Sequence, residues 1–130
     1  MEKIEKFIRE RASKTKRKNS NCVGTALYLV GESDTDKYLD RYTSRDVLLN
    51  FRKSFCPQKG YFVCWMDGTN PFHVGVVLET NPLTILHRDG CDGYLKSDSF
   101  DELNLRFKNI PVEIVYKIPN NFEKILGGKD

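Results

Sequence analysis

The sequence predicts an α+β fold, with helices first and an antiparallel sheet after them. Three observations carry this. Apolar residues near the N-terminus recur at helical spacing. The middle of the chain holds short β-favouring runs close together, separated by turn residues. The length of 130 residues, with 39% hydrophobic and 30% charged residues, suits one compact globular domain rather than two or a disordered chain.

Ile4, Phe7, Ile8 and Ala12 line one face of a helix over about residues 2–12. The basic segment that follows, to Ser20, is a loop. Asn19, Ser20 and Asn21 are all good N-cap residues. Behind them Cys22, Ala26, Leu27, Leu29 and Val30 read as a short buried helix over 22–30, ended by Gly31. A strand is the alternative there, because Val, Thr and Tyr are present. The polar stretch after Gly31 is a connection. From Ser44 to Phe55 a third helix is expected, with Val47, Leu48, Phe51 and Phe55 on one face; Pro57 and Gly60 end it.

Strands are expected at Tyr61–Met66, His73–Glu79 and Leu83–His87, with turns at DGTNP, TNP and RDGCDG. Ser99 and Glu102 form a capping-box pattern that opens a short helix towards Phe107. Val112–Ile118 alternates as a closing strand. The whole is expected to be one domain over 1–130, with an N-terminal helix and basic loop over 1–20 and a tail over 119–130.

The net charge of +3 excludes little, and the basic cluster Arg9–Lys18 reads first as a solvated face. Its aromatic residues are not interleaved with it, so no nucleic-acid partner is expected. No apolar run approaches the roughly 20 residues of a membrane span. MEKIEKFIRERASK has no apolar signal core, so the expected location is the cytoplasm. Cys22, Cys56, Cys64 and Cys91 contain no CxxC pair and read mostly as free thiols.

The candidate chemistry lies with Cys22, His73 and His87. The two histidines bracket a hairpin, one opening its first strand and the other closing its second. Antiparallel pairing then makes them neighbours at one rim of the sheet. A cysteine heading a helix sits where backbone N–H groups and the helix dipole favour a thiolate. An imidazole beside it can take the thiol proton, and a second polar group can hold that imidazole in its useful tautomer. The N–H of Cys22 would face the oxyanion of a tetrahedral intermediate.

NCVG at 21–24, PQKGYFVCW at 57–65, HVGVVLE at 73–79 and LTILH at 83–87 together resemble the NlpC-type cysteine peptidases of the papain-like superfamily. The order and approximate spacing agree over residues 20–90. The resemblance implies a papain-like sheet, with Cys22 as nucleophile, His73 as general base and His87 as its orienting partner. It implies hydrolysis of an amide in a peptide substrate, of bacterial cell-wall type, through an acyl-enzyme and with no cofactor or metal. Asn21 and Val23 replace the family's Asp and Ser, at positions that help recognise the substrate's amino end. Tyr61 stands where Asp commonly follows the glycine.

Other readings weigh against this one. Deamidation or acyl transfer would use the same triad, and a binding domain would keep the fold without turnover. Cys22 alone reads as a packed hydrophobe. Zinc would draw on His73, His87 and Cys91 with Cys22 or Cys64, without the usual tight ligand pairs. Asp89, Asp92 and Asp98 lack EF-hand spacing for calcium.

Overall fold

The computed structural model describes residues 2–15, 20–89 and 93–127. The expected cap at Asn19, the basic residues Lys16–Lys18, and Cys91 and Asp92 of the RDGCDG turn lie outside the described residues.

The chain is an α+β fold with helices at its N-terminal end and an open six-stranded sheet. In chain order, α1 is Lys3–Ala12, α2 Cys22–Leu29, α3 Arg41–Leu49, β1 Arg52–Ser54, β2 Phe62–Asp67, β3 Asn70–Thr80, β4 Leu83–Arg88, β5 Leu95–Ser99, α4 Phe100–Arg106, β6 Glu113–Ile118 and α5 Phe122–Gly127. The strands lie in the order β1-β6-β2-β3-β4-β5, and every neighbouring pair is antiparallel. Strands β2 to β5 form a meander. α4 then returns the chain to β6, which inserts between β1 and β2.

α1 buries Ile4 and Ile8, the centre of its apolar stripe. Ile4 packs where Gly60, at φ +90°, has no side chain to obstruct it. The segment 22–30 is helical rather than extended, and the cause is local. The Asn21 side chain accepts a hydrogen bond from Gly24 N–H at 3.0 Å, and the Asn21 carbonyl accepts one from Thr25 N–H at 2.9 Å. Nearly the whole helix is buried, from Val23 to Leu29. Gly31, at φ +80°, follows its last turn.

α3 differs from expectation at both ends. It begins at Arg41 because the Asp40 side chain caps it, accepting from Thr43 N–H at 2.8 Å. It ends at Leu49, and Arg52–Ser54 pairs with Ile118–Tyr116 as an edge strand. Phe51 turns into the core against Phe62, with ring centroids 5.1 Å apart, while Phe55 is fully exposed. The apolar residues therefore split between core and surface instead of sharing one helix face.

The S-x-x-E pattern forms a complete capping box at Ser99 and Glu102. α4 is seven residues long, and it docks through Trp65. The indole Nε1–H donates to Asn104 Oδ1 at 2.8 Å, and Phe100 and Phe107 pack on the same ring. Among the described residues no helix is long and apolar enough to cross a membrane.

Candidate functional site

The β3–β4 hairpin pairs Val76 with Leu86 and Val77 with Ile85. That register brings His73 beside His87, with His73 Nε2 2.9 Å from His87 Nδ1. Gly75 makes room for this. A side chain there would reach within 2.4 Å of Ile85 Cγ2 and 3.1 Å of the His87 Cβ. The glycine of HVG is thus a steric requirement of the imidazole pair.

β5 adds a third member. It pairs His87 with Lys96 and Ile85 with Asp98, so Lys96 and Asp98 share the face of His87. His87 Nε2 lies 2.8 Å from Asp98 Oδ2. The result is a continuous chain, Asp98–His87–His73. Around its acidic end stand Arg106 of α4 and Lys96, at 3.6 and 3.8 Å from Asp98 Oδ2. The same two cations hold Asp89, at 2.9 and 3.5 Å. Asp98 was not anticipated as part of this site. The only sequence signal was the alternation of Lys96 and Asp98 along LKSDS, which has meaning only once the β4–β5 register is known.

Both imidazoles are buried, at 6% and 1% exposure. His73 also packs against Trp65 and Phe107, with centroids 5.8 and 5.3 Å away. Burial, reinforced by the neighbouring His87, pushes the His73 pKa down to about 4. Burial lowers that of His87 as well, with Asp98 opposing. Both rings are therefore neutral at neutral pH, which leaves His73 with an unprotonated ring nitrogen but makes it a weak base unless an anion such as a thiolate stands beside it.

Cys22 is the first residue of α2 and is half-buried at the margin of the core. The imidazole pair itself is held by Asp98, Trp65 and Phe107. The position of Cys22 relative to the pair comes through its helix. α2 packs against β3 and β4, the strands that carry the two histidines. One turn on from Cys22, Thr25 Oγ1 accepts from Arg88 Nε at 2.7 Å, and Arg88 is the residue after His87. Gly24 lets the 37–39 segment close over the start of the helix, since a Cβ there would stand 1.7 Å from the Lys37 carbonyl oxygen.

Asn21 and Val23 have structural work. Asn21 spends its side chain on the cap and on Leu39, donating to the Leu39 carbonyl at 2.7 Å. Val23 is buried in the core at 3% exposure. Cys64 is wholly buried, and Cys56 is exposed. Among the described residues no three His, Cys, Asp or Glu side chains gather as metal ligands. Cys91 and Asp92, on which the zinc and calcium readings also drew, lie outside those residues.

No protein-family model matches this chain, and no curated protein does.

Proposed function

We propose that this chain is a cysteine hydrolase that cleaves an amide bond through an acyl-enzyme on Cys22. The observation that carries the reading is the way His73 is held. Its Nε2 is committed to His87, which leaves Nδ1 as the nitrogen for chemistry, on a strand packed by the helix that begins with Cys22. A buried imidazole backed by a second imidazole and a carboxylate is the support a general base needs.

In this reading His73 Nδ1 takes the thiol proton as Cys22 Sγ attacks the amide carbonyl. The S–C bond forms and the carbonyl π electrons move to oxygen. The N–H at the head of α2 meets that oxyanion. Asn21 already occupies the N–H groups of Gly24 and Thr25, and the donor assigned to this role is that of Cys22, on the nucleophile itself. As the tetrahedral intermediate collapses, the C–N bond breaks and the proton on His73 passes to the leaving amine. Water, deprotonated by the same nitrogen, then releases the acid and restores the thiol. The resemblance to NlpC-type peptidases directs the choice of an amide, and a peptide of cell-wall type is the first substrate to try. The structural duties of Asn21 and Val23 argue that amino-end recognition, if it occurs, uses other residues.

The test is the rate of Cys22 alkylation against pH, mapped by mass spectrometry, for wild type and His73→Ala. The proposal expects a thiolate below the ordinary thiol range of about 8.5, lost with His73. Hydrolysis of a peptide panel, abolished by Cys22→Ser, is the second requirement. Product only in the presence of an added amine or hydroxylamine would make the chain an acyltransferase. An ordinary thiol profile, unmoved by His73→Ala, overturns the catalytic reading and leaves a binding domain.

A further inference from the structure

The hydrogen-bond chain at the imidazole pair has a direction, and one residue at its end sets it. A carboxylate accepts hydrogen bonds and cannot donate them. A carboxyl is ordinarily ionised at neutral pH, and the cations Arg106 and Lys96 stand 3.6 and 3.8 Å from Asp98 Oδ2. The 2.8 Å bond between His87 Nε2 and Asp98 therefore requires the proton on His87 Nε2. A neutral imidazole carries one N–H, so His87 Nδ1 is then an acceptor. The 2.9 Å bond from His87 Nδ1 to His73 Nε2 in turn requires the proton on His73 Nε2. His73 Nδ1 is left with its lone pair.

We propose that Asp98 is a positioning residue, which through His87 fixes both imidazoles as Nε2–H tautomers and so makes His73 Nδ1 the proton acceptor. The catalytic consequence rests on the hydrolase reading above, but the tautomer assignment does not. The opposite polarity would need Asp98 to donate or His87 to carry two protons. Burial of His87 opposes the second. The groups facing the pair are Asp98 and Lys96 of β5, Asp89 after β4 and Arg106 of α4. Arg106 bridges Asp89 and Asp98, so α4 steadies the carboxylate as well as covering Trp65.

Without Asp98 nothing in the pair itself distinguishes the two directions. Two neutral imidazoles can bond with either one donating. In one of the two, His73 Nε2 becomes the acceptor and Nδ1 carries the proton, which removes the base from the side the proposal needs.

The experiment uses the full chain labelled with nitrogen-15. Long-range proton–nitrogen correlation spectra at neutral pH report which ring nitrogen of each histidine is protonated. Wild type is expected to show Nε2–H on both rings. Asp98→Asn, whose neutral amide can donate or accept, is expected to give mixed tautomers at His73 and to slow Cys22 alkylation about tenfold or more. Asp98→Glu keeps a carboxylate and is expected to restore Nε2–H and part of the rate. Nδ1–H on either wild-type ring overturns the proposal, and so does an Asp98→Asn spectrum unchanged from wild type. If Asp98→Asn does not fold, the wild-type spectrum still decides. Both rings Nε2–H beside an ordinary, His73-independent thiol would uphold the tautomer assignment while removing the hydrolase reading.

Discussion

Arg88 and Asp36 form an ion pair of 3.0 Å, with side-chain exposures of 1% and 6%. It joins the strand that carries His87 to the connection that folds back along α2. Thr25 sits between the partners, accepting from Arg88 Nε and donating to Asp36 Oδ1, each at 2.7 Å. Ser20 also bonds to Asp36, and Arg88 Nη1 donates to the Gly93 carbonyl at 2.6 Å. This polar knot ties the first turn of the Cys22 helix to the end of β4.

Asp36→Ala is expected to destabilise the protein by about 3–5 kcal/mol, because it removes the carboxylate that pairs with the buried Arg88 guanidinium and that also accepts from Thr25 and Ser20. Urea denaturation measures the loss. Lys59→Ala is the control. Lys59 reaches Glu2, Glu5 and Glu79 at 3.4 Å, but in a solvated setting, and should shift the midpoint far less. Equal shifts for the two variants would refute the structural role of the buried pair.

Gly24→Ala is expected to cost about 1–3 kcal/mol although Ala is the better helix former. The added methyl would stand 1.7 Å from the Lys37 carbonyl oxygen and 2.9 Å from its carbon, which are backbone atoms that cannot swing aside. The 37–39 segment must move, and the bond from Asn21 to Leu39 moves with it. Gly127→Ala in α5 meets nothing within 4 Å and should leave the melting temperature almost unchanged. If the two substitutions behave alike, the close approach at Gly24 is wrong.

These two contacts also mark what could be read in the sequence. Where local pattern decides, the reading holds: the stripe of α1, the capping box at Ser99 and the β2–β4 runs all appear near their expected places. β1 and β5 were not expected, because RKS and LKSDS are polar and carry no strand pattern. They are strands because β6 and β4 offer them backbone partners. The α3 boundary failed for the same reason, since pairing with β6 overrides the helical spacing of Phe51 and Phe55. The convergence of His73 and His87 was legible, as it needs only one hairpin. Asp98 was not, as it needs the register of a further strand.

The protein is expected to lose stability as the pH falls from about 6.5 towards 4, through its histidines. In the unfolded chain an imidazole takes a proton near pH 6.5. Folded His73 resists until about 4, because it is buried and beside His87. Between those values the unfolded state binds more protons, so acid favours unfolding. The His73 contribution is complete above about pH 6.5 and is lost on the way down to its folded pKa. It is worth on the order of 3 kcal/mol. His87 adds in the same direction. Carboxylates also titrate at the lower end of this range, so the measurement is the stability difference between wild type and His73→Gln at several pH values. That difference should narrow as the pH falls; a constant difference would contradict the depressed pKa.

The three described cysteines are expected to separate cleanly in alkylation of the native protein. Cys64 is fully buried on β2, between its ladder partners Val74 and Val115. Burial pushes its thiol up to about 12, against the pull of Lys117 and with a further push from Cys22. At pH 8 its thiolate fraction is then on the order of one in ten thousand, and no reagent reaches it. Cys56 is exposed and should be open to the reagent in the folded protein. It is therefore the internal standard against which Cys22 is judged. A Cys22 rate exceeding that of Cys56 at pH 6, despite the lower exposure of Cys22, would mean that its surroundings stabilise the thiolate. Cys64 should be modified only after denaturant is added. Labelling of native Cys64 as fast as Cys56 would show that the sheet opens at β2, and the imidazole geometry built on its neighbour β3 would fall with it.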